Sequence, residues 1–574
     1  MQMKKLLALV LSVIMAFSII ACGSSTDSPQ QGGTSSTQSG TASDSASSTD
    51  AQPDAVFDPM AKYDPAITVT TAISLDDEMQ NYLGIKSDLL ENNNWINAYR
   101  NELGIDVSID WAVPNTQYEQ KLNSTIIAND LPDIIAVNAQ QLRLLVRNGM
   151  AADLTDVFEQ YASPFTREMM EADGYMGLTE ATIDGRLMAI PLVQGNVDDS
   201  NMLWIRKDWM DQLGKTAPKT IDELIELAEA FMEADLDGTG QAYGLGVTTG
   251  SWISFLGGGW GDLPGFFEGF GAYPHAWLDI DGKAAFGRIQ PEMRDALAKL
   301  AGMYESGVIH REFATRDLTE DIAAGRVGIM YGQHWNSFWP LQMNIDNNPH
   351  ADWLPFPIPT VDGSPGISML GNSAWTFYVV NPDFANPEAV VKLYNFHYAV
   401  DCALSPDYDG DQFHIGGDRV QEQPESAFNW SIVKGFYPTQ NLFIHRGLKA
   451  YFAGDESVRE IGWINDAVTS TLEYEEDPIG NAVSWGGYRW SGPEGAFSVI
   501  DYYQTNKHTI YNLLNYSTDA MAEYNTTLDD MSITTFSRII MGVDPIEEFD
   551  TFVADWWRLG GETITNEVNY ELGR

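Results

Sequence analysis

Between Ala66 and Val137 the chain alternates between two hydrophobic periods, and this constrains its fold more than any other feature. AITVTTAI at 66–73, VSIDWAV at 107–113 and LPDIIAV at 131–137 are short, β-branched runs that read as strands. Between them, NNWINAYRNELG puts Trp95, Ile96, Tyr99 and Leu103 on one helical face, and TQYEQKLNSTIIAND reads as a second helix. Strands that alternate with helices predict an α/β architecture with a parallel sheet and right-handed crossovers. Such sheets bind ligands beyond the carboxyl ends of their strands, which points to Ser74–Asp77 and to Asn138, Ala139, Gln140 and Gln141. Taken singly each stretch is also an ordinary solvated loop.

A second series begins near Ile190. In KTIDELIELAEAFMEA, Thr220 can cap a helix while Glu223 reaches back to it, and Ile221, Leu224, Ile225, Ala228, Phe231 and Met232 form one apolar stripe. A glycine- and aromatic-rich passage with Trp252, Trp260 and Trp277 comes next, then a helix in PEMRDALAKLAGMYESG and a buried strand in GRVGIMYGQHW. ADWLPFPIP reads as a proline-stiffened extended crossing, and NSAWTFYVV as a further strand. No fixed-period repeat suggests a solenoid or propeller.

The N-terminus sets the expected compartment. Lys4 and Lys5 precede an apolar run, and Ile19, Ile20, Ala21 and Cys22 resemble a lipobox, so 1–21 is expected as a signal peptide and Cys22 as a lipidated residue. Residues 22–63 then form a Ser/Gly/Thr-rich linker too polar to fold, a tether of roughly 30 Å mean reach. The remaining cysteine, Cys402, reads as a buried structural residue. With 32 Lys plus Arg against 81 Asp plus Glu, the net charge of −49 disfavours nucleic acid and anionic headgroups, leaving membrane contact to the anchor alone. Most of the 17 Trp must be core, but tryptophan at this density also suits a surface that stacks on something flat and partly apolar, such as a sugar ring.

Catalytic signatures are missing: there is no HExxH, no G-x-S-x-G, no Walker loop and no GxGxxG after a strand. The chain is therefore expected not to be an enzyme, with a secreted glycoside-active enzyme as the rival. ADLDGTGQAYGLG at 234–246 begins like a calcium-binding loop, with Asp235, Asp237, Thr239 and the Gln241 carbonyl at alternate positions and Gly240 at the turn. The closing position holds Gly246 instead of a bidentate Glu, and the same residues also make a metal-free turn.

LWIRKDWMDQLGKTAPKTIDELIELAEAFMEADLDGTGQAYGLG resembles a block of the bacterial lipoprotein extracellular solute-binding proteins, the capture subunits of oligosaccharide-type ABC importers. So do IDGRLMAIP, LPDIIAVN, DIDGKAAFGRIQPEMRDALAKLAGMYESGVIHREF and FVADWWRLGGETITNEVN, in family order. The resemblance implies a two-lobed, type II periplasmic-binding-protein-like fold with a multi-crossing hinge and an interlobe ligand cleft. By that likeness one lobe combines 64–192 with 355–425, and the other 193–354 with 426–574. Relatives that bind acidic oligosaccharides carry calcium in the block matching Asp235, Asp237, Thr239 and Gln241, with later acidic ligands where this chain has Tyr243 and Gly244. A structural calcium is thus the one candidate cofactor.

By position, Tyr331, His334, Trp335 and Trp375 match cleft aromatics of sugar-binding relatives, with Trp252 and Trp485 or Trp490 behind them. Asp77, Asn138, Gln140 and Asn372 are the polar candidates for sugar hydroxyls. The expected function is a monomeric, lipid-anchored receptor on the extracellular face that captures an oligosaccharide and presents it to ABC permease subunits. A peptide-binding receptor with the same anchor and architecture is the alternative.

Overall fold

Five strands, three of them legible in the opening alternation, form a single sheet in the computed structural model, which describes residues 57–248, 259–316, 318–401, 413, 421–514 and 516–574. Both sheets lie within Asp58–Arg574. Ile67–Leu75 lies parallel to both Ile105–Pro114 and Ile134–Val137. Ala374–Val380 runs antiparallel between Ile134–Val137 and Ile190–Val193 and completes the sheet. The helix between the first two strands begins at an Asn93 cap and ends at Gly104, whose φ of 68° is left-handed. A Cβ at Gly104 would lie 2.4 Å from the Tyr63 carbonyl oxygen, so both the turn and the close approach require glycine. Trp95, Ile96, Tyr99 and Leu103 are all buried, as their spacing predicts.

The second sheet has four strands, in the order Trp353–Phe356, Met202–Arg206, Val327–Gly332, Tyr243–Gly246. Met202–Arg206 is antiparallel to both of its neighbours, and Val327–Gly332 is parallel to Tyr243–Gly246. The Thr220 cap and its reciprocal Glu223 bond open the helix Ile221–Ala234, whose Leu224, Ala228 and Phe231 are buried in this half. Helices from Gln440–Phe452 to Glu562–Glu571 pack on the same half and include the 22-residue Asp519–Ile540.

One core gathers around the first sheet and draws on 69–193, 374–398 and 427–433; two others draw on 197–370 and 442–568. The pairings carry 353–360 with the second sheet, because Trp353–Phe356 is its edge strand and Thr360 bridges Thr220. The family resemblance implies divisions at 354/355 and 425/426, and ADWLPFPIP reads in the sequence as a crossing. Pro355 is tolerated because edge strands leave one side of the backbone unpaired. The molecule is a two-lobed α/β binding-protein fold.

Candidate functional site

Among the described residues three segments join the halves, and they touch one another. The first leaves Ile190–Val193 through a 3-10 turn, Asn196–Asp199. The second continues from Ser368–Leu370, which pairs with Thr509–Tyr511, and enters Ala374–Val380. The third runs from Val433 to the helix Gln440–Phe452. The Gln194 N–H donates to the Ser373 carbonyl at 2.9 Å. A side chain at Gly195 would strike the Pro438 carbonyl oxygen at 2.1 Å, and one at Gly371 would meet Asp199 Oδ2 at 2.4 Å. Asn441 Nδ2 donates to Asp198 Oδ2 at 2.7 Å, and the Ser373 hydroxyl donates to Asp173. Burial pushes the Asp198 carboxyl up to about 7, the Asn441 bond opposes the rise, and Asp199 adds to it. Asp198 Oδ1 is buried without a hydrogen-bond partner. Asp199 itself is exposed.

Beside the second crossing lies a recess of about 320 Å3 whose walls come from both halves. Asn372 and Trp375 line it from the first-sheet side, and His275, Arg288, Asn512, Tyr516, Asn525 and Asp529 are among its walls on the other. Trp375 is 61 % exposed although it sits in a strand whose last four residues are buried, so a large aromatic face is kept in water at a pocket mouth. Arg288 is buried, and each of its three nitrogens has a partner. Nε donates to the Pro274 carbonyl at 3.1 Å, one terminal nitrogen to Asp529 and to Ser532 Oγ, and the other meets His275 Nδ1 at 3.4 Å. Desolvation and then the Arg288 charge lower the pKa of His275, so the imidazole is neutral.

A second aromatic group lies just beyond Val327–Gly332. The Trp335 indole N–H donates to Gln333 Oε1 at 2.8 Å, and its ring lies 10° from parallel to Trp339. Trp260 meets both rings edge-on. Phe338 is half exposed beside Trp490. Gln333 Nε2 donates to the Asp199 carbonyl at 3.4 Å, which ties this group to the hinge. The Trp490 indole donates to His334 Nδ1 at 2.8 Å, and burial lowers the His334 pKa to about 4, so the ring is neutral.

Asn372 and Trp375 are thus brought together, while Tyr331 and Trp485 require correction. Tyr331 is fully buried, with its ring edge-on to Phe266 and against Gly265, because it lies in a strand that is buried along its whole length. Trp485 is likewise fully buried, its indole donating to Asp352 at 3.0 Å beside Arg489, which grips the same carboxylate. Neither offers a ligand any surface. Asp77 is exposed in the first turn of Asp77–Ile85, and it is the capping Asp76 that accepts from Asn429 at 2.8 Å. Asn138 spends its side chain on the Gln141 N–H and on Glu119, while Gln140 reaches Asp519 at 3.4 Å. Trp252, Cys22 and Cys402 lie outside the described residues. Sequence reasoning misses the walls from 512 to 564; Met521, Asn525 and Asp529, spaced by four on Asp519–Ile540, carry the one pattern that could have found them.

The Asp235 loop lies apart from this recess, at the end of Ile221–Ala234. Both Asp235 carboxylate oxygens accept from the Gly240 N–H, at 2.9 and 3.0 Å, and Asp237 holds Thr239 through its N–H and hydroxyl. The front half of a cation loop is therefore pre-folded. The closing position, Gly246, is buried in a strand, and among the described residues no three acidic, His or Cys side chains gather around a common point. Two carboxylates, one hydroxyl and one carbonyl fall short of the six to eight oxygens calcium takes, and water would have to supply the rest.

A family model for bacterial extracellular solute-binding protein matches residues 91–399. The chain is 29 % identical over 232 residues to the fructooligosaccharide ABC transporter substrate-binding protein FusA of Streptococcus pneumoniae, covering 38 % of this chain and 42 % of that one. It is 27 % identical over 241 residues to the polygalacturonan/rhamnogalacturonan-binding protein YtcQ of Bacillus subtilis, covering 40 % and 44 %. It thus matches less than half the length of these curated relatives. In fold it is similar to an HMO binding, ABC-transporter associated solute binding protein of Bifidobacterium longum infantis, with TM-score 0.56, 14 % identity, and 88 % and 98 % of the two chains covered. The alginate-binding protein AlgQ2, solved without calcium ion, gives 0.50, 15 %, 89 % and 99 %.

Proposed function

The chain belongs to the bacterial extracellular solute-binding proteins, and from that premise we propose that it captures an oligosaccharide between its lobes for uptake by an ABC importer. The observation that carries this reading is Trp375: a mostly exposed indole at the mouth of a two-walled recess, with Asn372, Asn512 and Asn525 around it. An aromatic face stacks on the apolar face of a sugar ring, and side-chain amides both donate to and accept from hydroxyls. The named ligands of the two sequence relatives, a fructooligosaccharide and a polygalacturonan, support the class.

The mechanism is differential binding. A ligand that touches both walls only when the lobes are closed shifts the equilibrium toward the closed form by its difference in affinity. The three hinge segments, in mutual contact, are the chain passages about which that motion would occur. The lobes that move are proposed to be the half around the first sheet and the half around the second.

The lipobox-like Cys22 supports anchoring to the cell membrane behind a removed signal peptide, with the body facing outward as a monomer that meets permease subunits. Among the described residues no helix is long and apolar enough to cross a membrane. Binding without catalysis accords with the family, whose members are binding proteins. Calcium, where bound, would brace the Asp235 loop against the following strand, away from the recess.

A thermal-shift screen of the full chain against oligosaccharides and peptides tests the reading. A ligand at a hundred times its Kd adds about 2.7 kcal/mol of stability. A midpoint raised by saccharides alone is expected; one raised by peptides and by no saccharide overturns it.

A further inference from the structure

Among the described residues the recess walls hold a single cation, and the hinge beside them holds acids, which bears on the charge of the ligand. Resting on the carbohydrate reading above, we infer that the oligosaccharide is uncharged: the site is built against uronic acids. Among the described residues, the one arginine in the recess walls, Arg288, is already committed. Its guanidinium is held by Asp529, Ser532, the Pro274 carbonyl and His275, so no nitrogen is left without a partner for an incoming carboxylate. His275 is neutral and adds no charge.

The hinge next to Asn372 presents Asp173, Asp198 and Asp199, and among the described residues no Lys or Arg pairs with any of them. Asp199 lies against Gly371, one residue from the recess wall, with its side chain exposed. The chain as a whole carries −49, which deepens the negative potential of any cleft it encloses. Burial raises Asp199 to about 6 and Asp198 to about 7, so near neutral pH an incoming carboxylate meets like charge chiefly at Asp199, and a partly desolvated like-charge contact disfavours binding. Neutral hydroxyls face no such cost, since carboxylates accept from them readily.

Outside the walls themselves, Arg143 lies flat on the ring of the wall residue Tyr516 from the opposite half. It is the residue through which an acidic sugar could still be held, and the experiment is arranged around it. Length-matched neutral oligosaccharides (fructo-, xylo- and galacto-series) and oligogalacturonates are titrated calorimetrically into the full chain, into Arg143→Gln and into Asp529→Asn, at two salt concentrations. The expected result is a neutral ligand whose affinity is insensitive to salt, with oligogalacturonates at least about a hundredfold weaker. Asp529→Asn, which frees Arg288, is expected to narrow that gap. Oligogalacturonate binding that weakens with salt and is lost in Arg143→Gln would overturn the inference while leaving the carbohydrate reading intact. Binding of no saccharide of either series would overturn the reading on which it rests.

Discussion

The guanidinium of Arg143 lies 3.7 Å from the ring centroid of Tyr516, and the two residues belong to different halves of the molecule. One turn away on the same helix, Gln140 donates to Asp519, so two residues on one face of Ala139–Arg147 reach across to the start of Asp519–Ile540. The Arg143 contact falls on Tyr516, which with Trp375 lines the recess.

Arg143→Ala is therefore expected to weaken ligand binding without unfolding the protein. A cation–π contact of this kind contributes about 0.5–2 kcal/mol, so the Kd should rise about 2- to 30-fold, with the melting midpoint of the free protein nearly unchanged. Calorimetric titration beside a melting curve checks both halves of the statement.

Trp485 gives the opposite behaviour. Its indole is fully buried and bonded to Asp352, whose two oxygens also hold Arg489. Trp485→Ala should cost about 3–5 kcal/mol of stability through the cavity and the lost bond. Denaturant unfolding measures this, and a variant that keeps its stability but loses ligand would restore Trp485 to the cleft.

The contrast between Trp375 and Trp485 marks how far the sequence is legible. Local periodicity locates the strands and the capped helices, since a strand such as Ile134–Val137 or a box such as Thr220–Glu223 is written within a few residues. Which tryptophan faces water is settled by packing between residues hundreds of positions apart. Trp375 is second and Tyr331 next to last in a strand with a buried run, yet of the two only Trp375 meets a gap between the halves, walled by residues of 275–288 and 512–564. The same holds for Asn138, whose place at a strand end suggests a ligand contact but whose side chain is consumed in capping the next helix.

Glu268 makes stability depend on pH. It is buried, its Oε1 accepts from Asn201 at 2.9 Å and from the Met369 N–H at 3.0 Å, and Oε2 has no partner. Burial pushes its carboxyl up from 4.5 to about 8; the bonds from Met369 and Asn201 oppose the rise and Asp262 adds to it. The folded state thus holds a proton that the unfolded chain releases near 4.5. This contribution to stability is fully present below that pH, is lost progressively as pH rises toward about 8, and changes no further above it. Glu268→Gln should flatten the slope in that window and raise stability above about pH 8 by a few kcal/mol, about 5 at most. Unfolding curves of both proteins between about pH 4 and pH 9 test it.

The Asp235 loop, with half a shell, should bind calcium no more tightly than about 10⁻⁴–10⁻³ M. Adding chelator at micromolar calcium is then expected to leave the melting temperature unchanged, and millimolar calcium to raise it slightly in the native chain but not in Asp237→Ala. A fall in melting temperature on chelation would mean that other oxygens complete a tight site.

The central claim is that an oligosaccharide binds at the hinge recess on the face of Trp375. Calorimetric titration of a saccharide found in the thermal screen, into the native chain and into Trp375→Ala, tests it most directly. The expected result is one ligand per chain and a Kd raised at least about thirtyfold by the substitution, the loss of roughly 2 kcal/mol expected for a stacked aromatic anchor, with the melting temperature of the free protein unchanged. Saccharide binding of equal strength in both proteins would contradict it.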